Sequence, residues 1–319
     1  MTALGGGPTV KSVTRIGTSD LDVVGLNIGG NVFGWSADRA TSFEILDAFV
    51  GSGVTFVDTA DSYSAWVPGN TGGDSERIIG EWVAARGNRD AVVLATKVSR
   101  HPARPGLAPE NVRAAVDESL TRLQSDHIDL YYAHFDDDGV PIAEIAGVFS
   151  ELVDAGKIRY PAISNFSPER IDGWCEAVAA DGLHAPVALQ PHYNLVERDF
   201  ETNGLRAAAE RRHLGVLPYY ALAAGFLTGK YRPGASVDSP RAAGAGRYLE
   251  THPGTLTVLD EVSAAHGVTP TTVALAWLRQ QPTVVAPIAS ASRPDQLPDL
   301  LASLSLTLAP DEVAALSLG

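Results

Sequence analysis

The sequence predicts an α/β fold, and within that class a single (β/α)8 TIM barrel spanning residues 1–319. Three observations carry the prediction. Eight short apolar runs alternate with amphipathic helical stretches along the whole chain. Most of these runs are rich in Val, Ile and Tyr and lack polar alternation, as parallel strands covered on their outer face do. Finally, no early strand leads into the GxGxxG turn of an open doubly wound sheet, since LNIGGNVFG has neither the spacing nor a following helix.

The elements follow in order. Residues 10–22 carry a Gly-Thr-Ser-Asp turn signal and read as an N-terminal hairpin over the N-terminal mouth of the barrel. The expected barrel strands are 23–28, 55–58, 91–97, 128–134, 160–164, 187–191, 215–219 and 283–288. A helix begins with capping residues at DSER (74–77) and ends at Gly87. In the helix over 109–124, Pro109 suits the first turn, and Val112, Val116, Leu120 and Leu123 share one face. Thr269 caps a helix that Pro270 opens and Pro282 closes. Residues 225–254, rich in Gly and Pro, read as one long loop, and loops of that length usually serve function.

Composition narrows the class of function. Hydrophobic residues make up 45% and charged residues 19%, enough apolar surface for a sizeable core. A net charge of −14 argues against nucleic acid or an anionic membrane as partner. The lone Cys175 excludes a disulfide framework or a CxxC site and reads as a packed helical side chain. With no apolar signal core and no run long enough to span a bilayer, a soluble, cytoplasmic chain is expected. Oligomeric state is left open.

Active sites of such barrels lie at the C-terminal ends of the strands. There the sequence places Asp58 and, just beyond it, Tyr63; Lys97 ends the third strand and His134 the fourth. Singly, each has an ordinary reading as a turn cap, a packing ring or a solvated rim charge. Jointly, four proton-handling side chains on three adjacent strand ends are poorly explained by packing. A phenol of ordinary pKa about 10 is a weak acid at neutral pH, and a neighbouring ammonium lowers that value. Lys97 would act so on Tyr63, Asp58 would hold Lys97, and His134 would orient a substrate oxygen or share its proton. The task such a group suits is protonation of a carbonyl oxygen. No side chain donates hydride, so a reductase would need a nicotinamide.

At these residues the chain resembles the aldo-keto reductases, in particular the bacterial, potassium-channel-β-like branch. The matching motifs are VDTADSY (57–63), ATK (95–97), ESLTRLQSDHIDLYYAH (118–134), ISNF (163–166), LQPHYN (189–194), GFLTGKY (225–231) and PIASASRPDQL (287–297). The resemblance implies reduction of an aldehyde or ketone with NADPH, NADH being possible, with Tyr63 as general acid and Asp58, Lys97 and His134 completing a tetrad. It assigns Ser164, Asn165 and Gln190 to the carboxamide of the nicotinamide and Tyr219 to its ring. Gly30, Asn31, Asp58, Leu222, Leu227, Gly225, Gly229 and Lys230 fall on cofactor-facing segments. The 225–254 loop is then expected to fold over the pyrophosphate. Ser290, Arg293 and Gln296 fall where the adenosine and its 2′-phosphate are expected. Ser292 and Leu300 depart from the basic residue and the Asn usual in relatives, GGNV (29–32) from Gly-Thr, and Pro161 and Ala162 from a small residue and Gly.

Phe33, Trp35, Trp66 and Phe135 are candidate walls for an apolar carbonyl substrate. Asp136, Asp137 and Asp138 read as a solvated loop or caps. Two other readings stand beside the reductase. A metal-dependent hydrolase would use His134, Asp136 and His192, but its expected cluster of early-strand histidines is missing. A nicotinamide-binding regulatory subunit would keep the same residues without turnover.

Overall fold

The structure, a computed structural model, describes residues 13–234, 237–239 and 241–318. In chain order the strands are β1 Val13–Arg15, β2 Asp22–Val24, β3 Asn27–Gly29, β4 Phe56–Asp58, β5 Val93–Val98, β6 Arg100–His101, β7 Arg104–Pro105, β8 Ile128–Ala133, β9 Ile158–Ser164, β10 Ala188–Gln190, β11 Gly215–Val216 and β12 Ile288–Ala289. The helices are α1 Arg39–Gly51, α2 Asp74–Arg86, α3 Pro109–Leu123, α4 Ile142–Asp154, α5 Pro168–Asp181, α6 Leu205–Arg212, α7 Ala242–Thr251, α8 Thr255–His266, α9 Pro270–Arg279, α10 Leu297–Ala302 and α11 Pro310–Leu318.

Eight strands form one sheet in the order β11-β10-β9-β8-β5-β4-β3-β12. Every pair in it is parallel, with helices between the strands, as in an α/β barrel. The two outer strands are linked through the segment before β12. Val216 N donates to Thr283 O at 3.0 Å, and Val285 N to Val216 O at 2.9 Å.

Strand alternation divides the core. Phe56, Ala95, Leu130, Tyr132, Ala162 and Ala188 pack inside the sheet, while Val57, Leu94, Tyr131, Ile163 and Leu189 pack outward with the helices. Each large apolar side chain so buried contributes roughly 2 kcal/mol. The same parity carries Asp58, Lys97, His134, Ser164 and Gln190 inward, one or two steps beyond the inner apolar layer. At the other end, Ile16, Leu21 and Val23 of the β1–β2 hairpin join that layer and plug the sheet's base.

Some boundaries differ from expectation. The run 23–28 is two strands: Val23 and Val24 belong to the hairpin, and the break at Gly25 starts the barrel strand at Asn27. Residues 10–12 of the expected hairpin lie outside the described residues. The last strand is β12, and 283–284 serve as the bridge to Val216. The 225–254 stretch is not one loop, since a 3-10 turn at Ala223–Thr228 begins it and α7 occupies its second half. The cap of α2 is Gly73 rather than a side chain, whereas Thr269 caps α9 through Thr272 N as its sequence implies. The β6–β7 hairpin was not anticipated. Close packing of α2 on α3 needs Gly80, where a Cβ would stand 2.2 Å from Arg122 O.

Candidate active site

The inward parity of β4 and β5 brings Asp58 and Lys97 together in the interior. Lys97 Nζ donates to Asp58 Oδ2 at 2.6 Å, to Thr59 O at 2.7 Å and to the Tyr63 hydroxyl at 3.0 Å, which uses all three of its protons. The Lys97 and Asp58 side chains are 0% and 1% exposed. Gln190 Nε2 donates to the other Asp58 oxygen at 3.0 Å, so the carboxylate is held on both sides.

Tyr63 comes from the turn after β4, seated by Thr59 N on Ala95 O and Asp61 N on Lys97 O. The His134 ring meets the Tyr63 ring edge-on, with centroids 6.2 Å apart. Asp58, Tyr63 and His134 line one cleft of about 390 Å³, with Lys97 directly beneath.

Electrostatics assign each group a state. Burial opposes the Lys97 charge, but Asp58 and Tyr63 outweigh it and hold the ammonium above the usual lysine range. Burial, Lys97 and Arg100 push the His134 imidazole well below its ordinary value, so it is neutral at neutral pH. Lys97 lowers the Tyr63 pKa as expected, but it does not set the net direction. Burial is larger and Asp58 adds to it, leaving the net direction upward. Tyr63 is therefore a fully protonated phenol resting on a fixed cation.

The cleft extends well past this cluster. Asn165 Nδ2 donates to His134 O at 2.8 Å and to Ser164 Oγ at 3.0 Å, while Tyr219 donates to Asn165 Oδ1 at 2.9 Å. Ser164 Oγ is itself tied to Gln190 O at 2.8 Å. Asn31, Gln190, Tyr219, Leu222, Gly225, Lys230, Ser290 and Gln296 all line the cleft, as do Trp66 and Phe135.

Other expected residues lie elsewhere. Phe33 is fully buried in the core, because the 3-10 turn at Gly30–Val32 directs it inward. Gly30 packs beneath Ser75, and Leu227 is core. Ser164 is sealed under Asn165, and Gly229 abuts Pro270. Trp35 stands behind Trp66, edge-on at 5.6 Å. Arg293 does not line the cleft, since it is 65% exposed and bridged to Asp295 at 3.1 Å. Leu300 is buried against the core. Asp136 is paired with Arg170 at 2.6 Å, and His192 stacks on Tyr219, so the expected hydrolase ligands do not converge. No group of three or more metal-ligating side chains occurs among the described residues.

Among the cleft residues that escaped the sequence reading, two carry polar chemistry of note. Tyr220, 53% exposed, shares the cleft lining with Trp66, which is 52% exposed. Arg241 lines the cleft from the turn before α7, with Nη2 lacking any partner among the described residues. Both lie on segments without periodicity. The only sequence signal was a basic residue inside the Gly/Pro-rich stretch.

A nicotinamide dinucleotide suits this donor set. Asn165 and Gln190, already oriented by their own hydrogen bonds, line the cleft with Tyr63, while Lys230 and Arg241 have no carboxylate partner among the described residues and supply the positive charge a pyrophosphate requires.

Comparison with known proteins agrees in kind. The sequence model of the Aldo/keto reductase family matches residues 25–317. The chain is 31% identical over 331 residues to Protein tas of Escherichia coli K12, covering 94% of this chain and 95% of that protein. It is 34% identical over 309 residues to the uncharacterized oxidoreductase YrpG of Bacillus subtilis, covering 92% and 91%. Identity to norsolorinic acid reductase B of Aspergillus parasiticus is 33% over 304 residues, covering 90% and 76%. On this match and on the cluster at the strand ends, the chain belongs to the aldo/keto reductase family, whose members are NAD(P)H-dependent oxidoreductases.

Proposed function

We propose that this protein reversibly reduces an aldehyde or ketone to its alcohol, with Tyr63 as the proton donor and NADPH as the preferred reductant, NADH being the alternative. The observation that carries the reading is the Lys97 ammonium, 3.0 Å from the Tyr63 hydroxyl and fixed by a buried carboxylate. Bound nicotinamide supplies the hydride. As charge builds on the carbonyl oxygen, the Tyr63 hydroxyl gives up its proton, and the phenolate left behind faces Lys97 with no need to reorganise. Asp58 and Gln190 keep the ammonium aimed. Neutral His134 orients the carbonyl oxygen beside the phenol.

Asn165 and Gln190 hold the carboxamide in this reading, Tyr219 backs the ring, and Lys230 with the 223–228 turn covers the pyrophosphate. Trp66, Tyr220 and Phe135 form the substrate walls, which suits an apolar carbonyl compound. The relatives named as norsolorinic acid reductases support a reductase reading. We read the chain as one domain working in the cytoplasm. No helix among the described residues is long and apolar enough to cross a membrane.

The test is NADPH oxidation, followed by absorbance, against a panel of aldehydes and ketones. Tyr63→Phe is expected to abolish turnover while retaining NADPH binding. Turnover by that variant would remove Tyr63 as the acid. NADPH binding by the wild type without reduction of any panel member would favour a regulatory subunit.

A further inference from the structure

Behind the Tyr63 turn lies a cluster of buried polar side chains that the reaction above does not use. Asp61 sits two residues before Tyr63, is 1% exposed, and has no side-chain hydrogen-bond partner at either carboxyl oxygen among the described residues. Its main-chain N–H donates to Lys97 O at 3.1 Å, so this residue is also where the Tyr63 turn attaches to β5.

The titratable groups around Asp61 come from five elements. Glu76 of α2 is fully buried and accepts from Thr96 Oγ1 at 2.5 Å and from Arg122 Nε at 2.6 Å. Arg122 of α3 also meets Glu118 at 3.6 Å and donates to Ser119 Oγ at 3.2 Å, so its guanidinium is already engaged. On β5, Lys97 spends its protons on Asp58, Thr59 and Tyr63. On β8, the Tyr131 hydroxyl is buried without a hydrogen-bond partner among the described residues. On β6, His101 is held below the usual histidine range by burial and by Arg122, so it adds no charge at neutral pH.

The cluster thus holds two carboxyl groups, Asp61 and Glu76, and one nearby guanidinium. Arg122 and Thr96 satisfy Glu76. An ionised Asp61 would be a second buried anion, favoured by the neighbouring Ser62 N–H and by Arg122 and Lys97 charges already engaged elsewhere. Burial, and then Glu76, outweigh these and push its pKa upward, and such a group is expected to keep its proton.

We propose that Asp61 is a positioning residue that works as a neutral acid: protonated beside the Glu76–Arg122 pair, it keeps the turn that carries Tyr63 seated on β5, and its ionisation unseats that turn. The role rests on Tyr63 being the proton donor. The stability consequence does not. A carboxyl whose folded pKa is raised gives its full stabilisation below the unfolded value and loses it as pH rises toward and through the folded value. Asn is nearly isosteric with the protonated acid and cannot ionise.

The experiment compares wild type, Asp61→Asn, Asp61→Leu and Tyr63→Phe. It records thermal melts from roughly pH 5 to roughly pH 9, and NADPH oxidation with para-nitrobenzaldehyde over the same range. Asp61→Asn is expected to gain in melting temperature on the wild type as pH rises. Its kcat should stay within about twofold of wild type near neutrality, with the basic fall in kcat moved to higher pH. Asp61→Leu should lose about tenfold or more in kcat with NADPH affinity little changed. A melting gap between wild type and Asp61→Asn that does not change with pH overturns the neutral acid. A basic limb unmoved in Asp61→Asn, or a kcat for Asn as low as that for Leu, overturns the link to Tyr63. Should Tyr63→Phe remain active, the reading of the active site falls, and the melts still decide the state of Asp61.

Discussion

Lys97 and Asp58 form an ion pair at 2.6 Å with both side chains sealed from solvent. Such a pair is costly to half-remove. Lys97→Met strands a buried carboxylate and is expected to lose roughly 3–5 kcal/mol of stability and most turnover. Adding Asp58→Asn should recover much of the stability and none of the activity. Urea denaturation of the single and double variants reads the first effect, and NADPH oxidation the second. Equal stability of all three proteins would show that the pair is not desolvated as described.

His134 has the opposite linkage to Asp61. Its folded pKa is depressed by burial and by Lys97 and Arg100, so its stabilisation is present above the ordinary histidine value and is lost as pH falls through the folded value. His134→Gln should therefore lose its disadvantage relative to wild type on acidification from roughly pH 7 to roughly pH 4. Melting temperatures across that range check this. A gap constant with pH would mean His134 titrates normally in the fold.

Arg293 is the basic group nearest the Ser292–Gln296 end of the cleft in sequence, and Asp295 holds it at 3.1 Å on the surface. Asp295→Ala frees the guanidinium for a 2′-phosphate. The ratio of NADH to NADPH dissociation constants, measured by fluorescence titration, should then rise by about threefold to tenfold, chiefly through tighter NADPH binding. An unchanged ratio would show that Arg293 does not reach that phosphate.

Gly80 lets α2 lie against the end of α3, and a methyl group there meets the Arg122 carbonyl oxygen at 2.2 Å. Gly80→Ala should destabilise by roughly 1–3 kcal/mol, against the gain Ala ordinarily brings to a helix. Chemical denaturation gives the sign directly.

Much of the site was legible because strands keep a two-residue period. Once Phe56 is inside, Asp58 is inside, and the same holds for Ala95 with Lys97 and for Leu130 with His134. Gln190 follows Ala188 by the identical step. Where the backbone leaves that period, residue type ceased to indicate direction. Phe33 reads as a loop aromatic but turns into the core on a single 3-10 turn, and Arg293 reads as a phosphate ligand but is drawn outward by a carboxylate two residues on. Tyr220 and Arg241 reach the cleft from irregular segments that no pattern marks. The first barrel strand was misplaced because Val23, Val24, Leu26 and Ile28 form one apolar run around Gly25, hiding the change from hairpin to barrel.

The hairpin side chains Ile16, Leu21 and Val23 act as a stopper at the base of the sheet. With the base closed by these side chains, the cleft is reached from the strand C-terminal ends, where its lining lies. A compound resting on Asn165 and Gln190 sits deeper than one gripped at the rim by Trp66 and Tyr220, so traffic is single file. The kinetic signature should be compulsory order, the deep-seated ligand first in and last out, with product inhibition competitive only between its two redox forms.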